Sequence, residues 1–258
     1  MRRAAFGSLL IALFLSSCAY FRDRPAPYRP PAVAQMDPTD DGQTLYMRDC
    51  AWCHGNQGQG TERGPNLTTG TNGPAMMDFV LTTGRMPLHR PDQRVSRQES
   101  LYTSREIDAM VEYTKTFGAR GPDIPEPDPA KGDLGEGAEL YQDNCAACHA
   151  STGIGGALSV GGSPSKATAI APPLNEATPR EVAESMLVGP GTMPVFGPET
   201  FTPEEVDSIV RYVEYLQEPN NRGGLPMGRI GPWSEGAAGW LVGVLPLILL
   251  VMWIGKKE

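Results

Sequence analysis

The sequence predicts an all-α protein built from two tandem copies of one small unit and closed by a single C-terminal transmembrane helix. Three observations predict it. The spaced series Gly42-x3-Tyr46-x3-Cys50-Ala-Trp-Cys53-His54 returns as Gly137-x3-Tyr141-x3-Cys145-Ala-Ala-Cys148-His149. Late in each copy, apolar residues recur at helical spacing, and no convincing alternating strand pattern appears. Residues 236–255 carry no charge, and at about 1.5 Å per residue they reach about 30 Å, the thickness of a hydrocarbon core.

Composition narrows the class. The 258 residues include 30 glycines and 25 prolines, so long regular elements are few. A formal charge of −8 excludes a nucleic-acid binder, which needs a basic face. Four of the five cysteines fall in the two repeated motifs, which argues against a disulfide framework with its irregular spacings.

The ends place the chain at a membrane. Residues 1–17 read as a secretory signal: Arg2 and Arg3 precede an apolar run from Ala4 to Leu15 that is too short to span a bilayer. Leu15-Ser16-Ser17-Cys18 resembles a bacterial lipobox, so Cys18 is expected to carry a lipid and become the mature N-terminus. Residues 18–36 form a Pro-rich tether. The repeated units occupy 37–117 and 133–217, with a linker at 118–132 and a neck at 218–235. In the apolar run, Trp240 and Trp253 suit the two membrane interfaces, and Pro246 is tolerable in a membrane helix. Lys256 and Lys257 assign the tail 256–258 to the cytoplasm, leaving both units outside.

Each unit ends in a predicted helix, over 107–117 and 206–216, with Tyr113 and Tyr212 in register. Thr202-Pro203-Glu204-Glu205 supplies an N-cap, a proline at the first helical position and a capping-box glutamate, and Thr103-x-x-Glu106 offers the same box. Ile107, Met110, Val111 and Thr114 share one face, as do Val206, Ile209, Val210 and Val213. Units of this size have small apolar cores, so a bound cofactor is expected to help hold each one.

The motif C-x-x-C-H names that cofactor. It is the attachment signature of a c-type haem, because two thiols on one helical turn can add to the two porphyrin vinyl groups while the next histidine faces the iron. Cys50, Cys53 and His54 form one such set, and Cys145, Cys148 and His149 the other. Zinc and thioredoxin-like chemistry are the weaker readings of a C-x-x-C pair. Among eleven methionines only Met86 and Met193 precede a proline, which rigidifies the loop, so these two are expected as the sixth iron ligands. Met76, Met77, His89 and Met186 compete and read better as core or loop residues. A Met–His iron has a raised potential and no open position, which favours electron transfer over oxygen or peroxide chemistry. Carbonyls at Pro65 and Pro172 are expected to accept from the second ring nitrogen of His54 and His149. Arg85 is a candidate partner for a haem propionate.

Together these residues resemble class I cytochrome c, twice over. Gly-x3-Tyr resembles that family's N-terminal helix, which crosses its C-terminal helix; Gly42 and Gly137 would then let the helices of Tyr113 and Tyr212 approach closely. Pro65–Leu67 and Pro172–Leu174 resemble its histidine-orienting loop, and Met86 and Met193 match its axial methionine. Two domains, a neck and one terminal helix are similar to the dihaem cytochrome c subunits of the actinobacterial menaquinol–cytochrome c reductase, or cytochrome bcc complex. Thr83-Gly84-Arg85-Met86-Pro87, Gly155-Gly156-Ala157-Leu158-Ser159, Met186-Leu187-Val188-Gly189-Pro190 and the stretch from Gly231-Pro232 to Trp253-Ile254-Gly255 carry this closer likeness.

The resemblance implies a membrane-anchored electron carrier with two covalently bound haems c. A Rieske iron–sulfur protein would feed it and the copper centre of a terminal oxidase would drain it. The quinol site would belong to the cytochrome b subunit. The alternatives are a cytochrome c subunit of a terminal oxidase or of an exported dehydrogenase, and a dihaem peroxidase or haem sensor, which would need an open or His-ligated iron.

Overall fold

The computed structural model describes residues 41–158, 169–220 and 232–256. The predicted signal, Cys18, the tether and residues 221–231 of the neck lie outside the described residues.

The first repeat starts at α1 (Gly42–Asp49), whose N-cap Asp41 accepts from the backbone of Gln43 and Thr44. A single turn, α2 (Ala51–His54), follows directly, with Cys50 at the junction. Then come α3 (Pro74–Thr82), opened by its proline, and α4 (Ser104–Lys115), where Thr103 and Glu106 close the predicted capping box. The second repeat runs through α5 (Leu134–Asn144), the turn α6 (Ala146–His149), α7 (Pro179–Val188) and α8 (Pro203–Gln217). Thr202 and Glu205 form the box on α8. A third box, Thr178 with Glu181, starts α7; its Thr-Pro-x-Glu signal matches that of α8 and the sequence reading passed over it. Thr202→Ala is expected to cost about 1 kcal/mol, read as a lower midpoint in denaturant.

The fold is all-α as expected, with one addition. β1 (Gly156–Leu158) and β2 (Ala169–Ala171) form an antiparallel ribbon pairing Gly156 with Ala171 and Leu158 with Ala169. Strands of three residues are too short to leave a readable alternation.

In each repeat the first helix crosses the last. A Cβ at Gly42 would fall far inside van der Waals distance of the Ala109 carbonyl, and one at Gly137 would do so at Ser208. Glycine is therefore what lets α1 reach α4 and α5 reach α8. Leu45, Leu81, Tyr102, Ile107, Met110 and Val111 fill one core. Tyr141, Val182, Ala183, Met186, Phe201, Ile209, Val210 and Val213 fill the other.

The repeats meet where α3 packs against α7. Arg97 grips Glu181 with two hydrogen bonds, at 3.0 and 3.1 Å, and the Thr71 hydroxyl donates to the Val188 carbonyl. The linker is tied to both sides. Pro122 accepts from the Ala75 amide at 3.1 Å, and the Asp128 amide donates to Asp207 at 2.7 Å.

The C-terminal run is helical: α9 (Pro232–Ala238), a π-helical stretch (Gly239–Val244) and α10 (Leu245–Gly255). Pro246 lacks an N–H and crowds the preceding turn, so the wider register just before it has a local cause. Gly236–Gly255 is long and apolar enough to cross a membrane, and none of it is buried against the protein.

Candidate cofactor sites

The two sites are built alike, hydrogen bond by hydrogen bond. At the α1–α2 junction the amides of Cys53 and His54 both donate to the Cys50 carbonyl, so both thiols and the imidazole leave one turn. The amides of Cys148 and His149 repeat this on Cys145. Tyr46 donates its hydroxyl to Gly55 and Tyr141 donates to Ala150, both at 2.8 Å. These bonds fasten the residue after each histidine to the buried face of the preceding helix. Rings of the last helix brace the tyrosines: Tyr113 stands 5.6 Å from Tyr46, and Tyr212 stands 5.3 Å from Tyr141.

Both histidines are buried. Nδ1 of His54 lies 2.9 Å from the Pro65 carbonyl, and Nδ1 of His149 lies 3.0 Å from that of Pro172. A carbonyl only accepts, so each Nδ1 carries the proton and each Nε2 keeps a free lone pair. Burial holds His149 below the ordinary histidine value, against a smaller opposing pull from the Pro172 carbonyl, and favours the neutral ring. The loops that deliver the two prolines also match: Leu67 donates to Gly58 and Leu174 to Gly153, each at 2.7 Å. In the second repeat, β1 and β2 carry the chain from His149 back to Pro172.

The four cysteines are free. Burial pushes the Cys50 thiol up to about 12 and the Cys145 thiol up to about 11, so both are protonated. Met86 follows α3 and is half-buried against the first core, its amide bonded to the Val80 carbonyl at 3.0 Å. Met193 follows α7 and is half-buried against the second core. Among the competitors, Met186 lies inside the second core, Met77 packs on both apolar clusters of the first repeat, and His89 is exposed.

Free thiols in pairs, a lone-pair imidazole and a thioether make a donor set that fits a c-type haem in each repeat. Arg85 adds to this in the first. Its guanidinium stacks 4.6 Å over the Phe79 ring, and its Nη1 is buried with no acceptor among the described residues. Such a donor suits an anionic edge of a bound group.

Residues 39–117 match the family described as Cytochrome c, and residues 132–213 match Cytochrome C oxidase, cbb3-type, subunit III. The cytochrome bc1 complex cytochrome c subunit of Corynebacterium diphtheriae is 32% identical over 280 residues, covering 100% of this chain and 96% of its own length. That of Mycobacterium leprae is 35% identical over 260 residues, covering 96% and 86%. The Cbb3-type cytochrome c oxidase subunit FixP of Bradyrhizobium diazoefficiens is 27% identical over 123 residues, covering 44% and 40%.

Proposed function

Because the chain belongs to the actinobacterial family of cytochrome bc1 complex cytochrome c subunits, we propose that it takes electrons from a Rieske iron–sulfur protein and delivers them to the copper centre of a terminal oxidase. Its two repeats are cytochrome c domains that bind haem c, the group that supplies one-electron exchange when bound. The chain's own part is to hold and tune these groups. Cys50 and Cys53 would attach one, and Cys145 and Cys148 the other. His54 and His149 would each present Nε2 to the iron, with the Pro65 and Pro172 carbonyls fixing the tautomer and the ring plane. Met86 and Met193 would supply the remaining ligands to the iron and exclude small ligands.

The C-terminal helix is the membrane anchor. Lys256 and Lys257 favour a cytoplasmic C-terminus, with both haem domains on the outer face and a lipid on Cys18 as a second attachment. In this arrangement the cytochrome b subunit of the reductase oxidises menaquinol and carries the quinol site.

The full-length match carries the reading. It extends through the neck and terminal helix, beyond the haem motifs that all such cytochromes share. A second reading, a subunit of a terminal oxidase, is favoured by the oxidase family matched at 132–213 and by the partial likeness to FixP. Solubilising the membrane in mild detergent and purifying through a tag after Glu258 separates the two. Cytochrome b and a Rieske protein should co-purify, with b-type and c-type bands in one reduced spectrum. Recovery with an oxidase alone, and a purely c-type contribution from this chain, would move the function to the second reading.

A further inference from the structure

At the seam between the two cytochrome domains, α3 and α7 bury two carboxyl groups side by side. Glu184 is completely buried, and Asp78 is 3% exposed. Both carboxylate oxygens of Glu184 and Oδ2 of Asp78 meet no hydrogen-bond donor among the described residues. Asp78 lies close enough to Glu184 to raise the cost of charging it.

The bonds of the charges around them go elsewhere. Arg180, one turn earlier on α7, is half-exposed and pairs with Glu126 of the linker at 2.7 Å, and its charge exerts only a smaller opposing pull on Glu184. Glu181 is held by Arg97 at 3.0 Å and also caps α7. Arg85 faces Glu181 and Arg97. A carboxyl buried as Glu184 is, beside a second one and with no bonded counter-charge, is costly to ionise.

We propose that Glu184 carries a proton which it donates toward Asp78, and that this proton is the ligand that keeps the seam between the two cytochrome domains closed. The protonated Glu184 supplies the donor the seam otherwise lacks. Burial, reinforced by Asp78 alongside, pushes the Glu184 carboxyl well above its ordinary 4.5. In an opened seam it returns toward that value. Between the two values the closed seam holds a proton that the open one has lost. Closure is therefore fully favoured below the ordinary value and weakens as pH rises toward the raised one. Over that window the opening constant grows about tenfold per pH unit, the signature of one proton. The inference holds whichever partners the chain serves.

Hydrogen exchange on the full-length, haem-loaded protein in detergent tests it, from about pH 6 to about pH 8 and corrected for the intrinsic base dependence. Amides of α3 and α7 should open about tenfold more per pH unit than those of α1 and α8. Glu184→Gln keeps a donor toward Asp78 and abolishes the titration, so its corrected seam exchange should be flat. Asp78→Asn leaves Glu184 buried and titratable, so its seam exchange should keep a pH dependence, and it serves as the folded comparison if Glu184→Gln fails to fold. The infrared spectrum of the native protein at neutral pH should contain a carboxylic-acid carbonyl band that Glu184→Gln lacks. Native seam amides that track those of α1 and α8 at every pH, or a missing acid band, would overturn the proposal.

Discussion

Replacing Cys145 and Cys148 together by serine is expected to cut the covalently bound haem from two per chain to one. Serine keeps the size and leaves the turn α6 intact, because the hydrogen bonds to the Cys145 carbonyl come from the backbone. A hydroxyl does not form the thioether, so only His149 and Met193 would hold whatever haem remains in that domain, and acid extraction would remove it. The check is the haem-to-protein ratio after extraction, with haem staining on a denaturing gel. A ratio that stays at two would sink the assignment of this pair. The second domain should also become sensitive to protease, since its apolar core is one small cluster around Tyr141 and Val210.

The other large effect is at the helix crossing. In Gly137→Val the first side-chain carbon would collide with the Ser208 carbonyl, a backbone atom of α8 that has no rotamer to escape into. The helices must separate, and separation pulls Tyr212 off Tyr141 and opens the core at Ile209 and Val210. Overpacking among side chains costs about 1–3 kcal/mol, and a clash of a side chain with a fixed backbone carbonyl belongs at or beyond the top of that range. For a domain of this size the melting temperature should fall by more than about 10 °C, followed by circular dichroism. Gly135→Ala is the control on the same helix. Its Cβ would meet only the Asp133 carboxylate at 3.2 Å, and alanine favours helix, so stability should hold or rise. Equal losses from the two variants would mean that helix propensity, and not the crossing, sets the requirement for Gly137.

What the sequence disclosed was local. The repeat, the capping boxes at Thr103 and Thr202 and the hydrogen bonds from each histidine to its proline carbonyl rest on short spacings, while the crossing glycines came through the resemblance to class I cytochrome c. The box at Thr178 was equally legible and went unread. The seam was not legible. Asp78 and Glu184 sit on helices of different repeats and carry no shared pattern, and Arg97 finds Glu181 only through the tertiary fold. The ribbon of β1 and β2 was too short to signal itself. Pro246 was legible only as tolerable in a membrane helix, and the π-helical stretch before it emerged from the backbone.

The tie of the linker to both domains, through Pro122 on one side and Asp128 on the other, has a kinetic consequence. A free carrier meets its partner by diffusion, at a frequency that falls with dilution. Two domains strapped to one another meet at an effective concentration set by the strap, whatever the number of chains per unit of membrane. Exchange between them is then first order. Little chain entropy remains to be lost at each encounter, because the strap is already ordered. Scarcity of the protein would lower the number of working units and leave the turnover of each one unchanged.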